Sequence, residues 1–241
     1  MSSSAPSNAN PEWFLTTHWS AVQNARAADS KRANAALETL CRTYWYPLYA
    51  FVRRLGHSPH DAEDLIQGFF AQCIEKNYLH TADRQKGRFR SFLLIALKRF
   101  LANEWDRART RKRGGDRQII SLDAEQRYAS EPASTLSPDK LFERRWALTL
   151  LENVLAKLKA EQLEAGRGAI FEALQPVLTS RGTPYSELAK RLGLTESAVK
   201  VAVHRLRQRY RELLEQEIAD TVSSSAEIAE ERRYLLRSLS A

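Results

Sequence analysis

The stretch Tyr185–Leu214, YSELAKRLGLTESAVKVAVHRLRQRYRELL, reads as two helices broken at a single glycine. Thr183 is placed to cap the first helix, with Pro184 at its first position. Leu188, Ala189 and Leu192 then recur at helical spacing until Gly193 supplies the stop. Thr195 is expected to cap a second helix in which Val199, Val203, Leu206 and Tyr210 repeat every three or four residues and point inward. The opposite stripe carries Ser197, Lys200, His204, Arg207 and Gln208. A recognition helix needs this division: the apolar face fixes its angle, and the long polar side chains reach phosphates and base edges in the major groove. The plainer alternative is a helical hairpin whose basic face is simply solvated.

Composition agrees with a polyanionic partner. The 241 residues carry a formal net charge of +8 and an isoelectric point near 9.6, enough to draw the chain to nucleic acid or to an anionic surface. Against a membrane role, no apolar run approaches the ~20 residues of a spanning helix. The start, MSSSAPSNANPEW, lacks the basic-then-apolar order of a signal peptide, so a cytoplasmic location is expected. Cys41 and Cys73 lie in apolar helical patterns without metal-ligand spacing and read as buried thiols.

Along the chain helical periodicity recurs and no alternating strand stands out. After a disordered leader over 1–14, a first helix is expected near Thr17, with others at about 31–55, 60–77 and 88–110. These make a first helical domain over 15–113. The segment GGDRQIISLDAEQRYASEPASTLSP, Gly114 to Pro138, is rich in glycine, serine and proline and reads as part of a linker over 114–140. A second domain over 141–218 ends in the helix-turn-helix, and a tail follows over 219–241. The expected fold class is all-α: two small helical domains joined by a flexible linker.

Two further segments carry signal. Arg84 to Arg113, RQKGRFRSFLLIALKRFLANEWDRARTRKR, holds eleven basic residues against two acidic ones, a local excess above the charge of the whole chain. Phe92, Leu93, Ala96, Leu97 and Phe100 fit a helix packed on a core. Lys98, Arg99, Asn103 and Arg107 would then line its outer face, with Trp105 nearby. Cations track phosphates, rings stack on unpaired bases and amides read exposed edges, so the pattern suits single-stranded or distorted DNA; a solvated charged face is the competing explanation. In DAEDLIQGFFAQCIEK, Asp61 to Lys76, the residues Ala62, Leu65, Ile66, Phe69 and Cys73 form a buried stripe beneath an acidic outer face with Asp61, Glu63, Asp64 and Gln67. Acids crowded into a first helical turn complement the helix dipole, and a structural cap outweighs a catalytic site there.

The order of DAEDLIQGFF, the basic aromatic helix, a linker and the helix-turn-helix resembles the bacterial extracytoplasmic-function (ECF) sigma factors over about residues 17–218. RFRSFLLIALKRFLANEWDR together with LFERRWALTLLENVL is similar to a subgroup common in planctomycete-like bacteria. The resemblance implies a first domain that binds the clamp of core RNA polymerase and reads and melts the minus-ten promoter element, and a second that reads the minus-thirty-five element. By the same resemblance Asp61, Asp64, Leu65, Gln67 and Phe70 match the clamp-binding helix. Lys98, Arg99, Asn103, Trp105, Arg107 and Arg109 fall in the segment that reads and opens DNA. Ser197, Lys200, His204, Arg205, Arg207 and Gln208 fall on the upstream recognition helix. The partners implied are core polymerase, promoter DNA and an anti-sigma factor or other regulator; no cofactor, metal or catalytic residue is expected.

A one-component helix-turn-helix regulator is the alternative, but it needs a ligand pocket or dimerisation domain where this chain has a basic surface. An enzyme acting on nucleic acid would carry HxE with PCxxC, or GxxxxGK[ST], and neither is present. In the tail, SSSAEIAEERRYLLRSLS, the residues Ile228, Leu235, Leu236 and Leu239 suggest a short amphipathic helix. Docking on the second domain is favoured over blocking of DNA, since apolar stripes are most often packing surfaces.

Overall fold

The computed structural model describes residues 30–76, 88–110, 122–129, 136–179, 183–219, 221–222 and 225–240. The leader and the helix expected near Thr17 lie outside them. The described residues form nine α-helices and a 3₁₀ turn, with no strand among them: α1 (Ser30–Arg54), α2 (Pro59–Glu75), α3 (Phe89–Thr110), α4 (Leu122–Ala129), α5 (Pro138–Glu164), α6 (Gly168–Thr179), α7 (Tyr185–Leu192), α8 (Glu196–Ala219) and α9 (Ile228–Ser240), the 3₁₀ turn Ser225–Glu227 leading into α9.

Two helices begin on the same device. Ser58 and Ser137 sit at the N-caps of α2 and α5, each accepting a hydrogen bond from the backbone N–H three residues on, and each is followed by a proline at the first helical position. The serine oxygen satisfies a donor with no partner inside the helix, and proline there lacks only an N–H that the helix cannot use.

Helices α1, α2 and α3 enclose an aromatic core in which Tyr44, Tyr49, Phe51, Phe69 and Phe89 are fully buried. Phe69 meets Phe100 edge-on at 5.8 Å, and a Cβ on Gly68 would touch the Phe100 ring at 3.4 Å, so α2 and α3 approach closely here. Cys73 is buried in this core, which pushes its thiol up to about 12, and Cys41 is half-buried and raised by the same desolvation. Charging a thiol in apolar surroundings is unfavourable, so both stay neutral.

Helix α5, 27 residues and ~40 Å long, is the hub. Leu141, Phe142, Trp146, Ala147, Leu150, Val154 and Leu158 are all buried, and these positions cover more than one face. Helix α1 makes its most extensive packing on one side of α5, and α6, α8 and α9 take the others. The two helical groups expected from the sequence are therefore joined through a continuous core. The stretch read as flexible linker contains α4, which lies on α1: Ala124 is buried, Tyr128 meets Tyr49 edge-on at 6.3 Å, and the Arg127 guanidinium lies 4.2 Å from the Tyr46 ring. Eight residues are too few for a periodic stripe, and ring and cation contacts hold the helix instead, so hydrophobic spacing did not reveal it.

Candidate nucleic-acid interface

Helices α7 and α8 are fixed by the turn between them. Gly193 ends α7 in the left-handed region at φ 64°, and the Leu194 N–H donates to the Ala189 carbonyl at 3.0 Å. This closure satisfies a free carbonyl at the helix end and requires a residue without a Cβ penalty. Thr195 caps α8, its Oγ1 accepting from the Ala198 N–H at 3.2 Å. The start of α7 differs from expectation: Pro184 itself occupies the cap position with no side-chain bond, so Thr183 does not cap.

Val199, Val203 and Leu206 are buried beneath α8 and Tyr210 half-buried, as the spacing predicts. Ser197, Lys200, His204, Arg205 and Gln208 are exposed, Lys200 facing Glu196 at 3.2 Å. Arg207 leaves the row: its guanidinium turns inward and donates to the Val177 carbonyl of α6 at 2.9 Å. Arginine is long enough to satisfy a helix-end carbonyl from a position that sequence spacing assigns to the outer face. Arg209 pairs bidentately with Glu161 of α5 at 2.7 and 2.9 Å, a contact that raises its already high pKa. The buried carboxylate of Glu217 takes Lys157 of α5. Two acid–base pairs thus brace the helix on α5, and the sequence reading found neither.

On α2, Asp61 belongs to the cap, its carboxylate accepting from the Ser58 hydroxyl at 2.7 Å. Asp64 is exposed and faces His60 at 3.2 Å. Asp61, Asp64 and Leu65 line a cleft of about 680 Å³ together with Leu55, Leu101 and Trp105. Gln67 is exposed, and Phe70 is half-buried against Phe69 at 5.6 Å. Glu63, expected on the acidic outer face, is buried instead; it falls on the inward side of the turn beside Ala62. Trp105, 67% exposed, shares the cleft with Asp61 and Asp64, so the indole of α3 and the acids of α2 lie on one surface.

On α3, Arg99 and Asn103 are exposed. Arg107 and Arg109 lie within α3, but their side chains are outside the described set. Lys98 is turned to the start of α5, bonded to Asp139 and 5.7 Å from the Phe51 ring. Arg90 departs most from a solvated basic face. Only 3% exposed, it pairs with Glu231 of α9 between the rings of Trp146 at 4.2 Å and Tyr234 at 4.5 Å. Glu231 sits three residues after Ile228 and four before Leu235, on the tail's apolar stripe, and that misplaced carboxylate was the available signal. Leu236, counted in the stripe, is exposed; Glu231 and Ser238 take buried positions on this face.

An all-helical fold among the described residues, with a braced helix-turn-helix and a cationic helix, defines the class of DNA-binding proteins. A family model described as ECF sigma factor matches residues 33–218. The ECF RNA polymerase sigma factor SigE of Mycolicibacterium smegmatis is 27% identical over 203 residues, covering 83% of this chain and 69% of the relative. No solved structure matches. The chain belongs to the ECF sigma factor family: it is an alternative sigma factor that directs RNA polymerase, a transcription initiation factor and not an enzyme, with core polymerase and promoter DNA as its partners. No helix among the described residues is long and apolar enough to cross a membrane.

Proposed function

We propose that the helix-turn-helix reads the upstream, minus-thirty-five element through Ser197, Lys200, His204, Arg205 and Gln208. The supporting observation is their exposure in one row over a buried apolar face, on a helix whose angle is set by Gly193 and by the Arg209–Glu161 and Lys157–Glu217 pairs. Arg207 helps to hold that angle. Asp64, Leu65 and Gln67 of α2, with Asp61 and Phe70, form the polymerase contact, and Arg99, Asn103, Trp105, Arg107 and Arg109 of α3, joined by Lys98, read and open the minus-ten region. Opening costs a few kcal/mol per unstacked step, which an exposed indole and a cationic track offset by holding the separated strand. A polymerase partner implies a cytoplasmic location.

Reversing charge on α2 tests the polymerase surface, because a like charge at a complementary rim is repulsive. Asp64→Arg with Gln67→Arg is expected to abolish co-purification with core polymerase while the helical circular dichroism stays unchanged. Undiminished co-purification contradicts the assignment of this surface.

A further inference from the structure

We infer that the C-terminal helix α9 is an intramolecular clasp: it holds the two halves of this sigma factor closed and keeps the first turn of the basic helix from DNA until the halves separate. The inference rests on the proposal that the halves read two different promoter elements. The tail lies beyond residues 33–218, which match the family.

The centre of the clasp is Glu231, fully buried. Its carboxylate takes Arg90 and, at 2.7 Å, the Nε of Arg88. Tyr234, one turn further on, lies over both guanidinium groups, 5.1 Å from that of Arg88 and 4.5 Å from that of Arg90. Helix α9 is itself anchored on the other half, with Leu235 buried, packing against α5 and α8, and Arg232 bonded to Glu215 of α8 at 3.1 Å. A single 13-residue helix therefore ties the start of α3 to the α5–α8 unit. The Lys98–Asp139 pair makes a second tie between the same two halves.

A buried charge cluster is poor evidence of stabilisation, since apolar residues of similar volume commonly serve as well or better. It is well suited to a contact that must be exchanged. Phosphates can replace the Glu231 and Asp139 carboxylates on Arg88, Arg90 and Lys98 at little electrostatic loss, whereas a leucine contact has no counterpart on DNA. Geometry requires the exchange. Elements centred on minus ten and minus thirty-five are about 25 base pairs apart, or ~85 Å along B-DNA. Halves that share a core across α5, itself ~40 Å long, cannot occupy both sites at once.

The test uses the full chain, with dyes attached through unnatural amino acids at the exposed positions Glu75 of α2 and Gln216 of α8, and a labelled random-sequence duplex as the DNA probe. In the wild type, energy transfer between the dyes is expected to be high in the free protein and to fall when core polymerase is added. Glu231→Gln is expected to lower transfer without polymerase. It should also bind the duplex about tenfold more tightly, with a salt dependence steeper by about two, at ~0.9 per added phosphate contact. Tyr234→Leu keeps α9 apolar and is expected to shift both readings the same way, so it carries the test if Glu231→Gln loses helicity. Variants that fold but match the wild type in transfer, affinity and salt slope overturn the clasp and leave α9 a packing element. A polymerase–promoter footprint confined to one element contradicts the two-element reading instead, and the free-protein readings still judge the clasp.

Discussion

On α8, neighbouring cations have different work. Lys200 and His204 are exposed in the first turns, the part of a recognition helix that enters the groove. Arg209 lies on the same helix but is held by Glu161 and Glu212. Its loss should therefore act through the angle of the helix rather than through a base. Selection on randomised upstream elements is expected to return changed sequences for Lys200→Ala and His204→Ala, at ~1–3 kcal/mol for a lost base contact. Arg209→Ala and Glu161→Gln should resemble each other, weakening all sequences alike. A uniform loss for Lys200→Ala and His204→Ala, with the selected sequence unchanged, means that these side chains contact only backbone.

At the scale of the element, the turn before α8 depends on Gly193. A Cβ there meets nothing within 4 Å, so substitution costs only the left-handed backbone, ~1–2 kcal/mol. Gly193→Ala is expected to lower the melting temperature by about 2–8 °C for a chain of this size and to weaken upstream-element binding; an unchanged melting curve contradicts the role given to this turn. The sequence foretold α1, α2, α3, α7 and α8 to within a few residues, because apolar residues recur at helical spacing in them and Pro59, Pro184, Gly193 and Thr195 mark ends of α2, α7 and α8. It missed α4, held by Arg127 and Tyr128 on α1 rather than by periodic apolar residues. It also placed Glu63 and Arg207 outside and gave Arg90 no place of its own, since periodicity assigns a charged residue to solvent and cannot see a buried partner 141 residues away, as Glu231 is from Arg90.

Across the whole molecule, Trp146 on α5 is fully buried in a core that α1 and α8 share, so the two helical groups legible in the sequence meet on a helix whose several buried faces its spacing did not reveal. This closed arrangement gives function a direct dependence on polymerase: the α2 surface and the α8 row are exposed, while the α3 cations Arg90 and Lys98 are engaged until the halves part. Run-off transcription on a genomic fragment library with purified core polymerase measures that dependence. Discrete transcripts are expected only when both the chain and core polymerase are present, and they should vanish with Asp64→Arg and Gln67→Arg. Core polymerase giving the same transcripts with or without the chain, while the chain alone protects specific DNA sites, contradicts its action as a sigma factor.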